Sequence, residues 1–445
     1  MTLPTKTLLL RTVIATLTLG LSLVLASAAL AGNNSGAAAA TERPAAVKLE
    51  TLIEQGLRDS PAIKAKRSAW RKAIERYPQA RSLADPMLVY TQPIEKLETR
   101  LGPVMRSIRL SQAFPFPGTL STQGKVARKE AIIARLALDR AARQLVLDIK
   151  KAYYELYYLD KATLLAKEKT RLYKYLTKAR SNDYSVESTD FYDVIEAETR
   201  FADAEYELIL LGELREAAVS NLNTLLNLEP ERHIGPLTET SIEAPETRLN
   251  ELYKDLNKNE ELLASKVLIE KSVLKEKLAR LKTRPAFRIG LNYTEIGMPE
   301  ADGLKDGGND AVAATLGITL PIWHKKNKGV IAEAKHARLG AEQAKAALIN
   351  SLSAKAKSSY IDMQSNYQLI KLYSDSLIPK ADKLITTAEA AYKNGKGGLS
   401  DLFEPRIMRV QFEMAYYRAA ANYKKNRAEL EKLTAGFTLK ESTDE

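Results

Sequence analysis

Along most of the chain, apolar positions recur every three or four residues between charged ones. Ala142, Leu145, Ile149, Ala152, Leu156 and Leu159 mark one such face, the seam of a helix packed lengthwise on its neighbours. Tyr360, Met363, Tyr367 and Ile370 mark a second. No proline occurs between Pro117 and Pro230, and after Gly124 the only glycine in that stretch is Gly212. Ala, Leu, Glu, Lys and Arg, all strong helix formers, fill the rest. A helix over Lys125 to Arg180 is roughly 84 Å long at ~1.5 Å per residue. That length suits a rod or a helical tube better than a compact globule.

Four segments break this rhythm: Met87 to Pro93, Val104 to Phe114, Phe287 to Ile296, and Ala311 to Ile322. In Arg288-Ile289-Gly290-Leu291-Asn292-Tyr293, apolar side chains trade places with small or polar ones. These are candidate strands of about the length that a tilted membrane strand needs, roughly 9–11 residues. They come as two pairs, linked by Glu95 to Gly102 and by the Gly- and Asp-rich Gly297 to Asp310. Isolated two-stranded hairpins are not stable, so the pairs must join other strands, within the chain or between chains.

The two halves echo each other. Pro115 and Pro321 each follow a second strand and precede a long helix; Tyr153 and Tyr360 both sit mid-helix. Asp193, Glu196, Glu205, Leu222 and Leu225 correspond to Asp401, Glu404, Glu413, Leu430 and Leu433. The slowly drifting offset indicates duplication of one unit that reads helix, strand, strand, long helix, turn, helix. The expected organisation is a signal peptide over 1–31, a flexible lead-in over 32–46, repeat one over 47–230, a linker over 231–247, repeat two over 248–436 and a tail over 437–445.

The N-terminus adds an address. Lys6 and Arg11 precede an apolar run from Val13 to Leu25, and small residues end at Ala29-Leu30-Ala31, a signal-peptidase pattern. Cleavage before Gly32 removes two positive charges, taking the formal net charge from +12 to +10. In an exported chain a basic balance points to anionic lipid or a solvated surface rather than to nucleic acid. There is no cysteine, so neither disulfides nor a lipidated cysteine anchor the protein, and stability must come from packing or oligomerisation. No mature segment reads as a transmembrane helix.

Enzymatic chemistry finds no support. His233, His324 and His336 lack ligand spacing, and Met408 and Met414 do not share a helix face, so no metal site or cofactor is expected. Gly395, Gly397 and Gly398 lie between helices and read as a turn rather than as a phosphate loop. Tyr153, Tyr154, Tyr157 and Tyr158 form two i,i+4 pairs that suit packing between helices. Trp323, Phe114 and Phe116 suit either packing or a membrane interface. Asp401 and Glu404, three apart, share one helix face; from the residues alone, a solvated first turn favoured by the helix dipole accounts for them.

Taken together, four passages resemble the TolC-like outer-membrane efflux protein family. They are Asp85-Pro86-Met87-Leu88; Phe114-Pro115-Phe116-Pro117-Gly118, answered by Leu320-Pro321-Ile322-Trp323; Tyr392-Lys393-Asn394-Gly395 with Leu399-Ser400-Asp401-Leu402-Phe403-Glu404; and the final helix ending Leu430 to Gly436. The resemblance implies a mainly α fold with a small β part. A homotrimer would pool four strands per protomer into a twelve-stranded outer-membrane β-barrel, continued by a long-helix periplasmic α-barrel. It further implies a passive export duct in contact with outer-membrane lipid and a periplasmic adaptor protein, driven by an inner-membrane pump. Acidic residues at Asp401 and Glu404 would ring the periplasmic entrance, with Asp193 as the equivalent acid of repeat one and Tyr392 helping to hold the gate shut. Where some members have a gating arginine this chain has Gly397, and Lys396 beside it is the candidate substitute. The first two passages look most like the metal-efflux branch. A duct for type I protein secretion, a soluble periplasmic coiled-coil adaptor and a structural spacer are the alternatives; an adaptor accounts for the long helices but not for two matched hairpins.

Overall fold

The computed structural model describes residues 46–434, apart from 186–189, 240, 246–247, 301–302 and 304. The signal peptide, most of the lead-in and the tail lie outside the described residues. The chain opens with α1 (Leu49–Asp59) and α2 (Pro61–Arg81), then β1 (Met87–Thr91), the short β2 (Leu97–Thr99) and β3 (Gly102–Phe114). The long α3 (Thr119–Ser185) and α4 (Phe191–Leu225) follow. The second half runs α5 (Leu249–Asp255), α6 (Glu260–Lys282), β4 (Phe287–Ile296), β5 (Ala311–Ile318), α7 (His324–Leu372), α8 (Ile378–Lys393) and α9 (Glu404–Leu433). Both halves run from two short helices through strands to long helices, but β2 is present only in the first and the separate α7 and α8 only in the second.

Three features depart from the sequence expectations, each for a local reason. The single helix expected before each pair of strands is broken in two, as α1 and α2 in the first half and α5 and α6 in the second. Ser60 caps α2, its Oγ accepting from Ile63 N at 3.5 Å, with Pro61 at the first helical position. Asn259 caps α6, accepting from Glu261 N at 2.9 Å, and its amide donates to Leu433 O at 3.1 Å. The second long helix is interrupted by a π turn over Tyr373–Leu377. Pro379, second residue of α8, lacks an N–H and crowds the carbonyl four residues back, inside that turn, so the ladder widens there. The third departure is β2, inside a segment read as a loop. It pairs with the start of β3, where Gly102 has φ 125° and a Cβ would stand 1.9 Å from Gly297 O. Only glycine fits that crossing.

α3 is 67 residues long, roughly 100 Å at ~1.5 Å per residue. Its predicted seam is its buried face: Ala142, Ile149, Ala152, Leu156 and Leu159 are all at most 6% exposed. Ile149, Tyr153 and Leu156 pack against Leu49, Leu52 and Ile53 of α1 and Leu222 of α4. Tyr153 is buried, and its hydroxyl donates to Thr238 O at 2.7 Å. Tyr423 of α9 makes the equivalent link, donating to Glu243 O at 2.6 Å, within a cluster that includes Leu252, Met363 and Ile370. These two tyrosines tie the 231–247 connection onto the helices.

Two carboxylates lace the helices together. Glu155 of α3 accepts from Arg418 at 2.9 Å and from Lys425, both on α9. Glu429 of α9, buried, meets Lys151 of α3 and Lys355 of α7. Burial works to raise both acids, but the paired cations outweigh it and hold each below the ordinary 4.5.

The strands form one antiparallel sheet in the order β1-β3-β4-β5, with β2 on β3. β3 and β4 therefore join the two halves, and β1 and β5 are edges.

Candidate functional site

Strand register sorts the sheet into two unlike faces. Leu88 pairs with Leu110, Leu110 with Leu291, Ile108 with Tyr293, and Ile289 with Leu316. Residues directly opposite one another share a face. This face is apolar, and it is exposed: Leu88 is 67%, Leu291 57% and Leu316 78% accessible. Its aromatics fall into two rows. Tyr90 and Tyr293 flank Ile108 near the loops, while Phe114 pairs with Phe287 at the helical end. The rows lie six residues apart on β3, about 20 Å along the strand.

The opposite face carries Ser107, Arg109 and Ser111 of β3, Asn292 and Thr294 of β4, and Thr315 of β5. Gly290 sits among them; a Cβ there would approach Thr315 Oγ1 to 2.8 Å and Ser111 Cβ to 3.3 Å. The alternation sends most of the large apolar groups to one side; Met87 and Val89 of β1, opposite Ser111 and Arg109, are apolar side chains on the polar face, and Gln112, opposite Ile289, is a polar one on the apolar face. Near the loops, Arg106 pairs with Glu295 at the rim of the apolar face.

At the far end of the long helices a second site takes shape. There the end of α3 and the start of α4 lie beside the start of α9, where Leu172, Tyr173, Leu176 and Ala197 pack on Ile407 and Val410. Beside this core lies a cavity of about 230 Å³ lined by Arg180, Asp193, Glu196, Arg200 and Glu404, among others. Arg180 spans it: its guanidinium is 3.5 Å from Asp193 and 4.0 Å from Glu404. The Glu196 carboxylate, 2.6 Å away, raises the Arg200 guanidinium above its ordinary value, with the Tyr173 hydroxyl adding to it. Ser400, buried, donates its Oγ to Asp183 at 3.1 Å, and Tyr175 stacks on Phe403 with ring centroids 6.1 Å apart.

The structure thus brings Asp193 and Glu404 together around one cation. Asp401 plays a local part, its Oδ2 accepting from Gly398 N at 2.8 Å inside the turn that precedes α9. Tyr392 and Lys396 are exposed on the α8 side of that turn, and neither side chain has an ion-pair or hydrogen-bond partner among the described residues. Arg180 escaped the sequence reading, which sought the cation within the Lys393-to-Ser400 turn. The available signal was its place in the last turns of α3, where a cation suits the helix dipole, thirteen residues before Asp193. Among the described residues no three His, Asp or Glu side chains gather as a metal site.

No family model and no curated protein matches the sequence. Solved structures do. VceC, an outer membrane protein of Vibrio cholerae, superposes with a TM-score of 0.71 at 18% identity, over 87% of this chain and 95% of VceC. The outer-membrane channel OprN gives 0.72 at 14% identity, over 87% and 90%. The MtrE outer membrane channel of Neisseria gonorrhoeae, solved in its open state, gives 0.69 at 19% identity, over 87% and 88%. This chain has the fold of these outer-membrane channels. The channel fold accounts for a sheet with one bare apolar face and for helices far longer than a globular core needs. Among the described residues no helix is long and apolar enough to cross a membrane.

Proposed function

We propose that the protein is the outer-membrane channel of a tripartite efflux system, a passive duct for small solutes. The observation that carries this reading is the sheet. An exposed apolar face between two aromatic rows matches the lipid-facing band of a membrane barrel, and a sheet four strands wide with free edges at β1 and β5 cannot stand in hydrocarbon alone. Three copies joined edge to edge close twelve strands. α4 supports the same assembly: Phe191, Tyr192, Ile195, Tyr206 and Ile209, on a helix already packed on α3, remain exposed and suit a neighbouring protomer.

The long helices then continue the barrel through the periplasm to an entrance at the α3–α4 and α8–α9 turns. Asp401, Glu404 and Asp193 from three chains make that entrance acidic, and a ring of carboxylates draws cations at close range. Tyr392 and Lys396, free on the α8 side, face whatever docks there, an adaptor or a neighbouring chain. Opening separates the two turns of each protomer, which Arg180 and Ser400 now tie together; energy comes from an inner-membrane pump acting through a periplasmic adaptor. Metal cations are the cargo suggested by the likeness of Asp85 to Leu88 and Phe114 to Gly118 to the metal-efflux branch. No catalytic step is involved.

Membrane extraction tests the reading. The wild-type protein should require detergent. Leu291→Arg places a charge mid-strand on the apolar face, which costs about 2–4 kcal/mol per chain at the bilayer midplane, and should lower the inserted fraction. A wild-type protein released from membranes by salt alone would refute the duct and favour the soluble adaptor.

A further inference from the structure

The polar face of the sheet holds an imbalance. In β1, β3, β4 and β5, the charged side chains on that face are Arg109 and Arg288. Arg109 pairs in register with Asn292, and Arg288 with Ala113 and Gly317. A Cβ at Gly317 would lie 3.6 Å from Arg288 Cβ, which places the Arg288 stem on the same side as Thr315 and Ser111. Both arginines are exposed, and neither side chain has an ion-pair or hydrogen-bond partner among the described residues. Asp85, two residues before β1, shares the parity of Met87 and Val89 and makes no ion pair with Arg288. The strands' acid, Glu295, is on the other face and already neutralised by Arg106.

An exposed arginine on a soluble surface needs no explanation. Here the remaining polar positions of the face are uncharged, and the opposite face is apolar apart from Gln112 and the self-neutralised Arg106–Glu295 pair at its rim. Charge of one sign on the concave side of a barrel has a specific consequence, because low-dielectric walls focus its field into the lumen. Arg109 and Arg288 lie on adjacent strands and four residues apart in register, roughly 13 Å along the strand. Closure by threefold symmetry turns each into a ring of three.

We propose that Arg109 and Arg288 line the barrel lumen as two cationic rings that favour anionic solutes. The inference rests on the duct reading and deepens it by naming a substrate class: small molecules bearing phosphate, sulfate or carboxylate groups. Bare metal cations are disfavoured in this part of the duct, so a metal passes more readily as an anionic complex than as a free ion. The acidic entrance and the cationic barrel act in series, the first on what enters from the periplasm and the second on what leaves.

The test is the reversal potential of the purified wild-type protein in a planar bilayer under a KCl gradient at low salt, compared with Arg109→Gln/Arg288→Gln and Arg109→Lys/Arg288→Lys. At low ionic strength the Debye length, about 10 Å at 0.1 M, lets ring charges act across a lumen. The Gln variant should therefore lower the chloride-to-potassium permeability ratio several-fold. The Lys variant should keep the wild-type ratio, and raising KCl to about 1 M, where the Debye length is ~3 Å, should shrink the difference. Should the double Gln variant not form channels, each single Gln variant should show part of the shift. Conducting channels whose ratio is the same in wild type and Gln variants overturn the cationic rings and leave the duct standing. Absence of any conductance, from the wild-type protein and from the Ser400→Ala/Arg180→Gln variant alike, overturns the duct and the rings with it.

Discussion

The latch between the two helical turns is the part of the mechanism most open to measurement. Ser400 Oγ donates to Asp183 at 3.1 Å, and Arg180 reaches Glu404 at 4.0 Å; both contacts join the end of α3 to the start of α9. Ser400 is 3% exposed, and a hydrogen bond to a charged group in such a place contributes about 1.5 kcal/mol. The Glu404 side chain is 67% exposed, so its ion pair contributes no more than about 0.3 kcal/mol after solvent screening. Ser400→Ala with Arg180→Gln therefore removes about 2 kcal/mol per chain from the tied state, which shifts the open-to-closed ratio by roughly twenty- to thirty-fold at 1.4 kcal/mol per tenfold. The Tyr175–Phe403 stack and the Leu176–Ile407 packing remain, so the tip still folds. The assay is leakage of a small dye from proteoliposomes, whose initial rate follows the open fraction. The double variant should leak at least tenfold faster. Leakage at the wild-type rate, from a variant with wild-type melting temperature and oligomer size, would refute the latch.

The scaffold makes further predictions. Tyr153→Phe and Tyr423→Phe each remove one hydrogen bond from a packed hydroxyl, and each should lower stability by about 1 kcal/mol; their separate clusters make the effects additive in thermal unfolding. Glu155 and Glu429 titrate below their ordinary value in the folded chain. Their stabilisation is therefore complete above the unfolded value of 4.5 and is lost as pH falls through the folded one. A Glu429→Gln variant should melt below the wild type at neutral pH, with the gap closing under acid; a gap that persists at low pH contradicts the assignment. Asp401→Asn with Glu404→Gln should reduce cation preference in single-channel recordings, and unchanged preference would discard the acidic entrance while keeping the duct.

The long helices and the four main strands were legible because each obeys a strong period. The seam from Ala142 to Leu159 repeats at three and four residues, and β4 alternates at two. The breaks were less legible because they depend on single residues acting locally: Ser60 and Asn259 as caps, Pro379 behind a π turn. β2 was hidden because its pairing partner, the crossing at Gly102, is set by a contact with Gly297 far along the chain. At the helical tip the acids stood out by their matched places in the two halves, Asp193 with Asp401 and Glu196 with Glu404. Arg180 did not, since its role comes from the folding back of α4 and the docking of α9, neither of which sequence spacing encodes. The two faces of the sheet became unequal in charge only once register paired Arg109 with Asn292 and Arg288 with Gly317.

Planar-bilayer recording of the detergent-purified wild-type protein tests the central claim, a membrane-spanning duct, most directly. The account predicts discrete, uniform conductance steps from a protein that stays oligomeric in detergent. A protein that is monomeric and soluble without detergent, and gives no steps, would contradict it.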